Sequence, residues 1–146
     1  MHRIRQTVSV LMIAAMVSVS FITAQAQRRP YRLTDRQVEQ IIRRIETNAD
    51  TFRRSLDGAL DSSRLDGTRR EDNINEFIRN FESATDQLHE RFNNRNSVTA
   101  DVQSVLDSAA RIDGFLQRNR LNTRVESDWS LLRTDLNTLA DAYNVR

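Results

Sequence analysis

Residues 125–143 read VESDWSLLRTDLNTLADAY, and their spacing decides the fold. The apolar side chains fall at Val125, Trp129, Leu132, Leu136, Leu139 and Tyr143. Steps of four and three residues alternate between them, which is the a/d seam of a heptad-repeat helix. The chain's one Trp lies on that seam, and Tyr143 continues the stripe two heptads later. At such positions large aromatics are expected to anchor a core, with the indole N–H seeking a polar partner. If exposed, Trp129 and Tyr143 would instead mark a binding groove. Arg133, four residues after Trp129, is placed to stack on its ring.

Three further stripes precede this one. The first holds Val38, Ile42, Ile45, Ala49, Phe52, Leu56 and Ala59, widened by Ile41 and Leu60. The second holds Ile74, Phe77 or Ile78, Phe81, Ala84, Leu88 and Phe92, and its three Phe make it a bulky core contributor. The third holds Val98, Val102, Val105, Ala109, Ile112 and Leu116, flanked by Leu106 and Phe115. Small Ala109 and Ala110 offer room for a bulky neighbour such as Trp129.

Helix starts are written in the same code. Thr34 with Gln37, Thr68 with Glu71, and Thr123 with Glu126 each have the spacing of a capping box. Leu33 and Val38 flank the first box as a hydrophobic staple. Asn96 or Ser97 is the expected cap of the third helix. Gly67 closes the first helix, and polar loops are expected at 93–97 and 119–122. Four stripes joined by short loops predict an all-α, up-down-up-down antiparallel four-helix bundle over residues 34–146. An a/d seam also suits a helical hairpin that completes its core as a homodimer.

The N-terminus reads as an export signal. Arg3 and Arg5 precede the mostly apolar run Val8 to Ile22, and Ala24-Gln25-Ala26 supplies a small-x-small cleavage site. Residues 1–26 are therefore expected to be a signal peptide, and 27–33 a basic lead. The apolar run is short for a membrane span and is interrupted by Ser9, Ser18 and Ser20. The expected address is the periplasm or the extracellular space, with no integral span in the mature chain. A retained signal acting as a membrane anchor is the alternative.

Charge and composition remove several function classes. The chain has 22 basic against 20 acidic residues, and every basic residue is Arg. Loss of Arg3 and Arg5 with the signal makes the two equal, so a nucleic-acid partner is not expected. With no Cys, neither a disulfide scaffold nor a thiol nucleophile is available. The three Gly are scattered, so no Gly-rich phosphate loop exists. Outside the signal region the only His is His89. Asp86-Gln87-Leu88-His89 faintly echoes the Glu-x-x-His pairs of di-metal bundles, but one His cannot supply two such pairs. His89 is read as a boundary residue beside the core stripe. No catalytic, cofactor or metal residues are expected, and the chain is not expected to be an enzyme.

Two resemblances extend this reading. Leu33-Thr34-Asp35-Arg36-Gln37 resembles the Leu-Thr-x-x-Gln motif of small periplasmic stress chaperones. That likeness implies an exported, all-helical, cradle-shaped dimer acting on unfolded clients; the family's second copy of the motif is absent here. Residues 129–143 resemble the C-terminal end of small secreted bacterial all-helical proteins of unassigned function. The pattern is Trp-x-x-Leu-Arg-x-Asp-Leu-x-x-Leu-Ala-x-x-Tyr. This likeness implies an exported helical domain with a structural or protein-interaction role. The flank residues Ile41, Ile78, Leu106, Phe115 and Leu131 separate the two readings. Gathered in the open they would form a client-binding face; inside, they would close the core.

Overall fold

A computed structural model describes residues 33–145. The expected signal peptide, residues 27–32 of the lead, and Arg146 lie outside the described residues. The elements are α1 (Asp35–Asp61), α2 (Arg69–Asn93), α3 (Thr99–Arg118) and α4 (Thr123–Tyr143). No strand occurs among the described residues.

Helix α1 starts on a complete capping box. The Thr34 side chain accepts from the Gln37 amide at 3.3 Å, and Gln37 Oε1 accepts from the Thr34 amide at 2.9 Å. Two first-turn donors or their neighbours are thereby satisfied before the apolar stripe begins.

The other two expected boxes are not formed. Thr68 does cap α2 by position, but its hydroxyl donates to the Leu65 carbonyl, and no side-chain cap bond results. Glu71 accepts instead from the Gly67 amide at 2.6 Å, one residue short of the box. Gly67 has φ +67°, a left-handed turn that brings its amide toward Glu71. At α4 the cap is Asn122, whose side chain accepts from the Val125 amide at 3.0 Å. Thr123 is already helical and Glu126 is exposed, consistent with Asn being the stronger cap.

The start of α3 also differs from expectation. Its N-cap is Val98, without a side-chain cap bond, rather than Asn96 or Ser97. The cause lies in how α2 ends. The Asn96 amide bonds the Arg91 carbonyl and the Arg95 amide bonds that of Phe92, both at 3.0 Å. Arg95 takes φ 57°. That is a Schellman ending with Arg in the left-handed position. It uses Asn96 to close α2, and burial of Val98 sets where α3 begins.

The four helices form an antiparallel bundle in chain order around one core. Helix α1 packs most closely on α4, and α2 on α3; the α1–α2 and α3–α4 seams are looser. The first and last stripes are buried as spaced, apart from half-buried Tyr143. Each fully buried Leu, Ile or Phe contributes roughly 1.5–3 kcal/mol. In α2, Ile78 rather than Phe77 enters the core, and Thr85 takes the place expected for Ala84. Thr85 tolerates burial because its hydroxyl donates to the Phe81 carbonyl at 2.9 Å. Phe77 and Phe92 are only partly buried, so α2 contributes less bulk than its Phe content suggests. In α3, Phe115 is buried and Leu116 is at the boundary.

Candidate functional site

Trp129 is a core residue, 4% exposed. Its ring meets Phe52 of α1 at 5.0 Å between centroids and 46° between planes. Of the two small residues expected to make room for Trp129, Ala109 is buried and Ala110 is exposed. The indole Nε1 donates to Asp113 Oδ1 on α3 at 2.9 Å.

Asp113 is the acceptor on which the α3–α4 seam converges. Arg133 donates to Oδ1 at 3.3 Å and Gln117 to Oδ2 at 2.6 Å. Arg133 therefore joins Trp129 through a shared carboxylate, and no cation–ring stack is present among the described residues. The carboxylate attracts the guanidinium more strongly than the ring face does. A shallow groove of about 330 Å³ runs over this seam, with Arg120 and Glu126 along it.

His89 of α2 is half-buried and meets a partner on α1 that its sequence neighbourhood does not suggest. Its Nδ1 lies 2.6 Å from Glu46 Oε1 on α1. The carboxylate can only accept, so Nδ1 carries the proton. Nε2 is buried without a hydrogen-bond partner among the described residues. About two turns away, Arg53 of α1 holds Glu82 of α2 through NH1 at 2.8 and 2.6 Å. The Glu82 hydrogen bond and charge hold the Arg53 pKa above its usual value.

Sequence reasoning singled out none of three buried acids. They are Asp101 (6% exposed), Asp128 (8%) and Asp135 (7%). Each is matched to an Arg that reaches in from the surface. Asp135 receives Arg44 Nε at 3.0 Å and NH2 at 2.7 Å on Oδ1, and Asn48 Nδ2 at 2.9 Å on Oδ2. Arg124 Nε donates to Asp128 Oδ2 at 3.2 Å within α4. Arg91 Nε lies 3.0 Å from Asp101 Oδ2, an ion pair whose angles leave that oxygen without a full hydrogen bond. A signal did exist: Asp128 and Asp135 are seven residues apart, each just before a seam residue.

At the opposite end from the α1–α2 loop, an open cleft of about 650 Å³ lies where α1 begins and α4 ends. Asp35, Phe92, Arg95, Val98 and Tyr143 are among its lining residues. Burial raises the Tyr143 phenol above the usual Tyr pKa, and the charge of Asp35 adds to the rise. Asp61, Asp66 and Glu71 form the one group of acids among the described residues close enough to share a cation. Two of them are exposed, and Glu71 is already engaged by Gly67.

Among the described residues, no helix is long and apolar enough to cross a membrane. Set against protein-family models, curated proteins and solved structures, the chain matches none.

Proposed function

We propose that this chain is an exported bacterial helical-bundle protein with a structural or protein-interaction role, working through its outer surface rather than through a catalytic cleft. The observation that carries the reading is the fate of the flank residues. Ile41, Ile78 and Phe115 are buried, Leu106 is half-buried, and only Leu131 stands out, at 59% exposure. They complete a core instead of gathering into a concave apolar face. A single exposed Leu is ordinary for a protein surface. The remaining outer surface is dressed with Arg–carboxylate pairs, which favour polar, geometry-specific contacts with another protein.

The Leu-Thr-x-x-Gln segment has a sufficient local explanation in the α1 capping box. The stress-chaperone reading therefore loses its main support from sequence, and remains the alternative to be tested.

The test is aggregation suppression. The purified protein is added to an unfolding client without an energy source, and light scattering is followed. The expected result is unchanged scattering across a wide molar excess. Suppression near equimolar ratio would overturn the structural reading in favour of a client-binding chaperone.

A further inference from the structure

The cleft at the α1 start has the size of a small-ligand site. Its volume of about 650 Å³ lies inside the roughly 300–1,000 Å³ common for such sites. Val98 is buried beneath it, and Phe92 and Tyr143 present half-buried rings. Two opposite charges, Asp35 and Arg95, line the same space.

Both of these charged side chains are exposed. Interhelical ion pairs join Arg44 to Asp135, Arg53 to Glu82, Arg91 to Asp101 and Arg133 to Asp113. Among the described residues, Asp35 and Arg95 pair neither with each other nor with any other charged side chain within 4.0 Å. Among the described residues, the cleft thus combines an acid, a cation and two aromatic rings.

We infer that this cleft binds a short peptide with both ends free and apolar side chains, its ammonium held by Asp35 and its carboxylate by Arg95. An Arg fork suits a carboxylate, which it can grip with two parallel hydrogen bonds. The apolar side chains of the peptide cover Phe92 and Tyr143 and displace water from their exposed faces. Such an amphipathic ligand satisfies all three features at once; a purely anionic one would meet Asp35, and a purely apolar one would strand both charges. This site is a property of the bundle end and does not depend on the surface role proposed above.

The test is calorimetric titration of the full chain with the dipeptide Leu-Phe, its N-acetyl form and its C-terminal amide. Saturable binding of the free dipeptide is expected, with each capped form about tenfold weaker. Arg95→Gly is expected to lose about tenfold for the free dipeptide and to leave the amide unchanged. This variant relieves the left-handed backbone at Arg95, so its fold is preserved, and a thermal melt checks that. Asp35→Asn is expected to lose about tenfold for the free dipeptide and to leave the N-acetyl form unchanged. No saturable binding at millimolar dipeptide would overturn the inference. Equal affinity for free and capped forms, or unchanged binding by both variants, would overturn it as well.

Discussion

Arg44 on α1 holds Asp135 on α4 by two nitrogens on one carboxylate oxygen, and Asn48 takes the other oxygen. The pair lies on the most closely packed interface of the bundle. Leu and Ile seams bury area without fixing register, because one heptad slides onto the next with similar contacts. A buried acid with one matching Arg does fix it, since any slip strands the charge. Asp101 with Arg91 has the same relation across α2 and α3.

Removing Asp135 should therefore cost more than an ordinary surface pair. Asp135→Ala is expected to lower unfolding stability by about 1–3 kcal/mol, since Asn48 and Arg44 lose their acceptor. Arg44 is largely exposed, so Arg44→Ala should cost less, about 0.5–1 kcal/mol after solvent screening. Urea unfolding of both single variants and the double variant measures the coupling. A coupling energy near zero would show the pair to be incidental.

Asp113 is the acceptor for the only Trp in the chain. Asp113→Ala should cost about 1–3 kcal/mol, because the buried indole N–H is left without a partner. The same substitution in a Trp129→Phe background should cost clearly less, as Phe has no N–H to strand. Trp129 is also the only indole fluorophore, so its emission is expected to shift to the red in Asp113→Ala as water reaches the ring. Equal costs in the two backgrounds would contradict the role given to Asp113.

The architecture was legible because it follows from periodicity. The seam of residues 125–143 names its own buried face, and each short polar loop forces the next helix back along the last. What could not be read is what depends on a partner from another helix. Nothing local to Asp135 says that Arg44 will arrive, and nothing near His89 points to Glu46. The Schellman turn at Arg95 is hidden for a different reason: Gly is the usual residue there, and Arg gives no sign of a left-handed backbone. Thr123 looked like a cap because Thr-x-x-Glu fits the box, but Asn122, one residue earlier, is the better acceptor. The end cleft is missed for the same partner-dependent reason, since Asp35, Arg95 and Tyr143 come from three separate segments.

Tyr143 gives the bundle an alkaline limit. Burial, and then the charge of Asp35, raise its folded pKa above the ordinary value of 10.0. The folded state therefore holds the phenol proton more tightly than the unfolded chain does. The resulting stability is complete below the unfolded pKa and is lost as pH rises through the folded one. Urea midpoints are expected to hold steady up to about pH 9 and to fall above about pH 10. Tyr143→Phe should flatten that fall, because Phe has no proton to lose. Parallel slopes for the two proteins above pH 10 would remove Tyr143 as the cause.

Arg95 and Asn144 share φ 57° at the ends of α2 and α4, yet their costs differ. Asn144 follows the same plan as Arg95, with the Val145 amide bonding the Ala140 carbonyl at 3.0 Å and Val145 packing back on the core. Asn enters the left-handed region readily, whereas a long side chain costs roughly 1–2 kcal/mol there. Gly removes that strain but adds unfolded-chain entropy, which returns part of the gain. Arg95→Gly is therefore expected to stabilise the protein by about 0.5–1 kcal/mol, while Asn144→Gly should change it by only a few tenths. Thermal melts of the two variants, side by side, separate a backbone effect from a general effect of Gly. A loss of stability in Arg95→Gly would mean that the guanidinium makes a favourable interaction large enough to outweigh the backbone strain.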